Sequence, residues 1–385
     1  MTEHDWPEAR PLPDFPWDLL EPHKARAREI GIVDLSIGTP VDPTPEVVRQ
    51  ALCAAADAPG YPTVWGTPAL REAVAGWLRR RLGVDADADA VLPTIGSKEL
   101  VAMLPFQLGL SARDVVAIPA VAYPTYDVGA RLAGAAIVTA DGVDELEQAR
   151  RRVEATGRTL RLAWLNSPSN PTGAVTSAAE LAAIVAWGRA HGVLIVSDEC
   201  YIELGWEAEP VPVLHPSVCG AAHDGVLAVH SLSKRSNLAG YRGAFITGDA
   251  AMVRRLLAIR KHSGAMLPSP IQAAMIAAYG DDEHVQRQRA VYAARRAQLR
   301  PALDQAGFRV DASEAGLYLW ATRGADAWDT VAALADLGIL VAPGAFYGAA
   351  GAQHVRIALT ATDERIATAA ARLTEGLMPA PQARH

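Results

Sequence analysis

The sequence contains little cysteine and no long uninterrupted apolar run. Its 385 residues include only three cysteines, Cys53, Cys200 and Cys219, and no pair of them has C-x-x-C spacing. We therefore expect neither a disulfide framework nor a cysteine-ligated zinc site, and reduced thiols in a cytoplasmic protein are the simplest interpretation. The acidic start does not predict a signal peptide. Two prolines interrupt the uncharged stretch 263–280, so we expect no membrane span.

Several common catalytic motifs are also absent. The sequence contains no G-x-x-x-x-G-K-[ST], no G-x-G-x-x-G after a predicted strand, no G-x-S-x-G and no H-E-x-x-H. Nucleotide hydrolysis, hydride transfer, serine hydrolysis and zinc chemistry are therefore disfavoured, and we expect no metal site. The formal net charge of −7 argues against nucleic acid or an acidic membrane as a partner. Small metabolites are the expected ligands.

The order of the predicted elements indicates the fold class. Half of the residues are hydrophobic, which is ample for a folded core. Short apolar runs alternate with stretches of helical spacing, as is typical of βαβ units and a mainly parallel sheet. The predicted strands are 91–95, 115–118, 136–139, 162–165, 193–197, 225–229 and 244–247, and then, after a basic helix at about 284–303, 317–321 and 355–359. We expect an α/β fold with an N-terminal arm at 1–40 that also joins a small domain, a large domain at 41–280, and the C-terminal small domain at 281–385.

Polar residues that follow one predicted strand suggest a binding site. In open α/β sheets, ligands bind beyond the carboxyl ends of the strands. Strand 225–229 leads to Ser231, Ser233 and Lys234, and Arg242 lies eight positions after the lysine. Partial burial and nearby cations would lower the pKa of such a lysine, so that its amine could form a Schiff base with an aldehyde while the hydroxyls and Arg242 bind a phosphate. Taken alone, a Ser/Lys loop is more often an exposed turn.

Two further predicted strands end in residues that would complete this site. Strand 193–197 leads to Asp198 and Tyr201, and strand 162–165 leads to an N-P-x-G motif that begins at Asn170. A carboxylate can keep a pyridine nitrogen protonated, and the asparagine and tyrosine can donate hydrogen bonds to a ring oxygen. Each motif alone is also typical of an ordinary turn or strand exit, but the ordered set is much less expected by chance.

With N-P-x-G, then D-E-x-Y, then S-x-S-K and an arginine eight residues later, the sequence resembles the fold-type-I aminotransferases of class I/II over about residues 34–359. These enzymes use pyridoxal 5′-phosphate (PLP). The resemblance implies a mainly parallel sheet of seven strands flanked by helices, with a smaller α+β domain, and it assigns PLP binding to the large domain. It also implies that Lys234 carries PLP and moves protons, that Asp198 pairs with the pyridinium nitrogen, and that Asn170 and Tyr201 contact the ring hydroxyl.

The same resemblance implies further contacts with the cofactor and the substrate. The remaining cofactor residues would be Ser97, Lys98, Ser231, Ser233 and Arg242 around the phosphate, Tyr123 stacked on the ring, and Tyr61 at the phosphate of a neighbouring subunit. The Tyr61 contact would require a homodimer with shared active sites. The substrate α-carboxylate would be bound by Arg356, with Gly38 and Asn170 beside it. A charge-assisted pair of this kind contributes about 1.5–3 kcal/mol.

A narrower resemblance concerns the substrate. The stretches that look like actinobacterial succinyldiaminopimelate aminotransferases are 15–22, 34–45, 91–100 and 232–242. This implies amino transfer between glutamate and N-succinyl-2-amino-6-oxopimelate, in diaminopimelate and lysine biosynthesis. A long dicarboxylic substrate should need a second cation distant from Arg356, for which Lys98, Lys24 and Arg26 are candidates.

Three alternatives remain open at this point. The chain could be an aminotransferase of another substrate range, of the aspartate, aromatic or alanine type. It could be a PLP-dependent C–S β-lyase, which would share nearly every cofactor residue. It could also be a non-catalytic PLP-sensing regulator, although the short, acidic, Pro-rich start leaves little room for a DNA-binding domain.

Overall fold

The computed structural model describes residues 12–376, so residues 1–11 of the predicted arm lie outside the described part of the chain. The α-helices are α1 (Glu21–Glu29), α2 (Glu46–Ala54), α3 (Pro68–Leu82), α4 (Gly96–Gln107), α5 (Thr125–Ala133), α6 (Val143–Glu154), α7 (Ala178–His191), α8 (Pro216–Cys219), α9 (Leu232–Arg235), α10 (Ala250–Ser263), α11 (Ser269–Gly280), α12 (Glu283–Gln305), α13 (Ala327–Ala335) and α14 (Asp363–Gly376). Short 3₁₀ helices lie at Pro16–Leu20, Ala88–Ala90, Ala239–Tyr241, Gly344–Tyr347 and Ala349–Gly351.

The β-strands form three sheets within the described residues. The strands are β1 (Val33–Asp34), β2 (Val91–Ile95), β3 (Asp114–Ile118), β4 (Ala136–Thr139), β5 (Thr159–Asn166), β6 (Leu194–Asp198), β7 (Val226–Ser231), β8 (Gly243–Gly248), β9 (Arg309–Asp311), β10 (Tyr318–Thr322), β11 (Ile339–Leu340), β12 (Ala342–Pro343) and β13 (His354–Ala358). A seven-stranded sheet has the order β2-β8-β7-β6-β5-β3-β4. The other two are a four-stranded sheet, β12-β13-β10-β9, and the pair β1-β11.

The seven-stranded sheet confirms the predicted α/β fold class. The seven strands predicted between residues 91 and 247 are its seven strands, within a few residues at each end. The strands β7, β6, β5, β3 and β4 pair in parallel, whereas β8 is antiparallel to both of its neighbours. The central strands are Val- and Leu-rich and buried along most of their length, as expected for a sheet covered on both faces.

The N-terminal segment packs with the C-terminal part of the chain. Strand β1 pairs in parallel with β11, joining Val33 to Ile339. One hydrophobic core combines Leu20, Val33 and Leu35 with side chains from α12, β10, β13 and α14. The four-stranded sheet beside this core is antiparallel throughout. The segment after β1, which contains Gly38, is therefore held against the C-terminal part of the chain.

A buried arginine fixes this segment. On α12, the Arg295 side chain is only 4% exposed, and it donates to Asp42 at 2.6 Å and to Asp363 at 2.7 Å. Breaking such a buried pair by removing one partner is costly, because the remaining charge is left without a counterion. Arg295 thereby ties the loop after β1 to α12 and to the start of α14.

The parallel register places the ends of three strands side by side. Asn166 at the end of β5 pairs with Asp198 at the end of β6, and Asp198 pairs with Val229 near the end of β7. Because carboxyl ends of parallel strands meet at one edge, the residues that follow β5, β6 and β7 converge there. Among residues 12–376, no helix is both long enough and apolar enough to cross a bilayer.

Candidate active site

A pocket of about 520 Å³ lies at this edge of the seven-stranded sheet. It brings together every residue that the sequence assigned to the site except Tyr61. The predicted residues that line it are Gly38, Ser97, Lys98, Tyr123, Asn170, Asp198, Tyr201, Ser231, Ser233, Lys234, Arg242 and Arg356. Tyr61 is 95% exposed and lies outside the pocket, so its predicted contact across subunits stays a prediction.

Lys234 lies on the single-turn helix α9, which follows β7 directly. Its side chain extends into the pocket, where Nζ donates a hydrogen bond to the carbonyl of Gly38. Burial lowers the pKa of the Lys234 amine, and the cations of Arg356 and Arg242 add to this effect, although Tyr318 opposes it. The neutral amine that a nucleophilic lysine needs is therefore favoured here.

Asp198 provides a buried carboxylate at the end of β6. The Tyr126 hydroxyl donates to its Oδ2 at 3.0 Å, and the Cys200 backbone N–H donates to its Oδ1 at 3.2 Å. Burial raises the pKa of Asp198, and these donors only partly offset that effect. No lysine or arginine in the described part of the chain lies within ion-pair distance of it. The sequence analysis missed Tyr126, because its position at the start of α5, three residues after Tyr123, is also typical of an ordinary core aromatic.

Hydroxyl groups, a helix start and an arginine form an anion-binding cup. The Ser231 hydroxyl donates to that of Ser233 at 2.9 Å and caps α9 by accepting from the Ser233 N–H. Gly96 begins α4 with a φ of 76°, and a Cβ there would overlap the guanidinium of Arg242. Only glycine therefore allows this close approach. Arg242 has no carboxylate partner among residues 12–376, and the N–H groups at the start of α4 favour a phosphate.

Arg356 lies on β13 and is almost completely buried. Its guanidinium donates to Asn170 Oδ1 at 2.8 Å and to the carbonyl of Ser36 at 2.7 Å. The rings of Tyr318 and Tyr347 lie 4.0 and 5.0 Å from the guanidinium carbon. Its Nε has no hydrogen-bond partner in the described part of the chain. A buried arginine without a carboxylate partner suits a bidentate pair with a substrate carboxylate.

Asn166 organises the floor of the pocket, and the sequence analysis did not single it out. Its side-chain amide donates to the carbonyl of Asp198 at 2.9 Å, and its Oδ1 accepts from the Asn170 backbone N–H at 2.7 Å. It therefore joins the end of β6 to the N-P-x-G loop. The sequence did offer a signal, because Asn166 directly follows the predicted strand 162–165 and precedes the N-P-x-G loop.

The outer wall of the pocket combines aromatic rings with one cation. Phe15 and Trp17, from the segment before α1, line it together with Lys98. The Lys98 ammonium lies 5.4 Å from the centre of the Phe15 ring. Of the other two proposed cations, Arg26 pairs with Asp336 and Lys24 lies on α1, and neither lines the pocket. Lys98 is thus the candidate that the structure places with Arg356.

A buried acid and a histidine lie directly behind the site. Glu199 follows Asp198, and its Oε2 lies 3.3 Å from Nε2 of His230, the residue before Ser231. The Val213 N–H donates to its other oxygen at 2.6 Å. Burial raises the pKa of Glu199 to about 8 and lowers that of His230 to about 3. Near neutral pH both side chains are therefore uncharged, with the proton on the carboxyl group.

The pocket fits the cofactor that the sequence resemblance implies. PLP has a pyridine nitrogen, an aldehyde and a phosphate, and the pocket offers a suitable group for each. Asp198 is a buried carboxylate without a cation, Lys234 is an amine with a lowered pKa, and Arg242 belongs to a cup without an anionic side chain. A polar group that is buried without a partner is costly, and bound PLP would offer its pyridine nitrogen to Asp198, its aldehyde to the Lys234 amine and its phosphate to Arg242.

Comparisons with known proteins agree with this geometry. A family model described as aminotransferase class I and II matches residues 30–373. A 4-dedimethylamino-4-oxo-anhydrotetracycline transaminase of Streptomyces rimosus is 60% identical, over 95% of this chain and 100% of that protein. A probable aminotransferase of Mycobacterium tuberculosis is 58% identical, over 94% of this chain and 85% of that protein. The solved structure of N-succinyldiaminopimelate aminotransferase from M. tuberculosis matches with a TM-score of 0.83 and 28% identity, over 92% of this chain and 96% of that chain.

The buried carboxyl group of Glu199 predicts a pH dependence of stability. Folded Glu199 keeps its proton up to about pH 8, whereas an unfolded glutamate loses it near its ordinary pKa of 4.5. Between these values the folded state binds more protons, so the free energy of unfolding falls as pH rises. Relative to the variant Glu199→Gln, the parent should lose on the order of a few kcal/mol across this range. Urea unfolding of the protein without added PLP measures the difference.

The matched control is Glu283→Gln, which changes an exposed glutamate of the same kind. Its stability should follow that of the parent at every pH. Equal pH profiles for the parent and Glu199→Gln would show that Glu199 is ionised in the folded state.

Proposed function

The chain belongs to the class I and II aminotransferases, a PLP-dependent family, and we propose that it transfers an amino group from glutamate to an oxo acid with a distal carboxylate. The acceptor we propose is N-succinyl-2-amino-6-oxopimelate, which makes the enzyme a succinyldiaminopimelate transaminase of diaminopimelate and lysine biosynthesis. The solved structure of an enzyme named for this substrate, with a TM-score of 0.83, supports the proposal.

One observation carries this substrate assignment. Arg356 and Lys98 line the same pocket, and neither has an ion-pair partner among residues 12–376. Arg242 is a third cation, but it packs against Gly96 in the cup assigned to the phosphate. Two cations thus remain for the substrate carboxylates, Arg356 for the one at the reacting carbon and Lys98 for one of the two distal carboxylates of N-succinyl-2-amino-6-oxopimelate. The Trp17 indole N–H, buried and without a hydrogen-bond partner among residues 12–376, offers a further donor for an amide or carboxylate.

The chain's own residues would perform the reaction as follows. Bound PLP would supply a carbonyl for attachment and a strong electron sink. Arg356 would bind the substrate α-carboxylate and so orient the α-hydrogen toward Lys234. Lys234 Nζ, whose pKa is lowered by burial, would accept that proton and return it at the cofactor side. Asp198 would hold a proton on the pyridine nitrogen, and Tyr201 would donate to the ring oxygen.

The remaining predicted contacts complete the cofactor site in this proposal. Asn170 would share the ring oxygen with Tyr201, Tyr123 would stack on the ring, and the phosphate would be bound by Ser97, Ser231, Ser233 and Arg242. Lys98, assigned to the phosphate by resemblance, is instead given the distal carboxylate here. Its ammonium lies over Phe15 on the outer wall, which supports this choice.

We also propose a cytoplasmic homodimer in which Tyr61 reaches the neighbouring phosphate. Tyr61 is 95% exposed, and Phe106 is 55% exposed, and large apolar side chains of this kind favour an interface. The three cysteines are all unpaired, which suits a reducing compartment. In each subunit, 41–280 would be the large PLP-binding domain, and 1–40 with 281–385 the small one.

Light scattering should give twice the chain mass of 40.8 kDa, and a monomer at high concentration would contradict the shared site.

A second candidate acceptor is a planar, polycyclic ketone. The relative that is 60% identical is named for an oxo-anhydrotetracycline substrate. Phe15, Trp17 and Tyr123 line the pocket and could stack on such a ring system. A polycyclic ketone would bind to the aromatic wall and would not require the distal cation. Loss of Lys98 should therefore weaken binding of the succinylated acceptor but not of the ketone.

The test is an acceptor panel with a variant of Lys98. Glutamate should bleach the absorbance of the PLP-loaded protein, and the succinylated oxo acid should restore it faster than pyruvate or a polycyclic ketone. In Lys98→Met, KM for the succinylated acid should rise roughly 10- to 100-fold, the loss of one charge-assisted hydrogen bond. KM for pyruvate, which has no distal carboxylate, should stay unchanged.

Lys24→Met is the matched control, since Lys24 lies on α1 outside the pocket. It should behave as the parent with every acceptor. If Lys98→Met instead weakens PLP binding and affects all acceptors equally, Lys98 binds the phosphate and the distal role is wrong. Preference for the polycyclic ketone would favour the second candidate, and release of pyruvate and ammonia from cystathionine would indicate a β-lyase.

A further inference from the structure

Tyr318, the first residue of β10, lies directly behind the pocket and has no role in the scheme above. Its side chain is 4% exposed. Its hydroxyl packs so closely on Gly38 that a Cβ at that position would overlap it. The Gly38 carbonyl in turn accepts the hydrogen bond of Lys234. Tyr318 therefore supports the loop that holds the reactive lysine.

The same side chain also contacts two other residues of the site. Its hydroxyl lies 3.1 Å from the hydroxyl of Tyr201, with the two rings 5.8 Å apart and nearly perpendicular. The guanidinium of Arg356 lies 4.0 Å from its ring centre. Tyr318 thus joins the residue assigned to the ring oxygen, the residue assigned to the substrate carboxylate and the loop beside the lysine.

The hydrogen bond between the hydroxyls of Tyr201 and Tyr318 can run in either direction. Each phenol has one proton, and either oxygen could be the donor at 3.1 Å. If Tyr201 donates to Tyr318, it has no proton left for a cofactor oxygen. If Tyr318 donates to Tyr201, the Tyr201 proton is free to point into the pocket. The second arrangement also makes Tyr201 a stronger donor, because hydrogen bonds in a chain polarise one another.

We propose that Tyr318 is a positioning residue that donates its hydroxyl proton to Tyr201 and thereby directs the Tyr201 proton toward the cofactor ring oxygen. This inference rests on the proposed assignment of Lys234 and Tyr201 to PLP. The ring of Tyr318 has a separate task, since it stacks on Arg356 and keeps that guanidinium in place.

The electrostatics of the pair support this direction. Burial alone would raise the pKa of Tyr318, but the guanidinium of Arg356, together with the Lys234 amine and the hydrogen bond with Tyr201, outweighs burial and lowers the pKa. Burial raises the pKa of Tyr201 well above its ordinary value. The more acidic phenol is the better hydrogen-bond donor, which favours the arrangement in which Tyr318 donates to Tyr201. The titratable groups that interact with the Tyr318 side chain are Tyr201, Lys234, Arg356, Cys200, Tyr123, Tyr292 and Tyr347.

The test measures the visible absorbance of the PLP-loaded protein as a function of pH. Tyr318→Phe removes the hydroxyl and keeps the ring. Tyr201 then becomes a weaker donor to the ring oxygen, which disfavours the ionised form of that oxygen. The pKa of the absorbance change should therefore rise by roughly half to one unit, the size of one ordinary hydrogen bond. In a Tyr201→Phe background, the same substitution should have no effect.

Tyr292→Phe is the matched control for the loss of a buried hydroxyl. Tyr292 lies in the same hydrophobic core, and its hydroxyl donates to Asn237 at 3.3 Å. This variant should change thermal stability about as much as Tyr318→Phe and leave the absorbance titration unchanged. Comparison of the two separates a role in the site from a general loss of packing.

Two results would overturn the inference alone. One is a parent protein that titrates in the visible range while Tyr318→Phe titrates at the same pH. The other is a shift by Tyr318→Phe that persists in the Tyr201→Phe background, since Tyr318 would then act on the cofactor by another route. If the parent shows no visible band with PLP, the cofactor assignment fails and this inference fails with it.

Discussion

The parallel register of β5, β6 and β7 is the constraint on which the whole site depends. It sets Asn166 beside Asp198 and delivers the loop of Lys234 to the same edge. The fold then buries charged groups there without giving them counterions. Buried charges without counterions reduce the stability of the folded protein, and a ligand that supplies the counterions restores it. Neighbours such as Tyr126 and Asn170 reduce that cost through hydrogen bonds without neutralising the charges.

Much of this arrangement could be predicted from the sequence because it follows the chain locally. Apolar runs of four to eight residues bounded by turn residues mark buried strands. Functional groups such as Asp198 and Lys234 follow those strands directly, so their convergence required only the parallel order. The antiparallel direction of β8 was not predicted, because a buried strand has the same continuous apolar run whether it is parallel or antiparallel to its neighbours.

Apart from Asn166 at the end of β5, the residues that were missed contact the site from elements distant in sequence. Tyr126 reaches Asp198 from α5, and Tyr318 reaches Tyr201 across 117 residues. Phe15 and Trp17 enter the wall because β1 pairs with β11 and carries the N-terminal segment against the C-terminal core. Aromatic residues in such positions look like ordinary core residues, so nothing in their local pattern reveals the contact. The substrate is hard to predict for the same reason, because its distal end meets these remote residues and not the motifs.

The most direct test of the account is to find where PLP attaches. The sequence has four lysines, Lys24, Lys98, Lys234 and Lys261, of which Lys98 and Lys234 line the pocket. Borohydride reduction of the PLP-loaded protein, followed by peptide mass spectrometry, resolves all four. We predict a single reduced adduct on Lys234 that is lost in Lys234→Ala. An adduct on Lys98 or another lysine, or no adduct in the parent protein, would contradict the account.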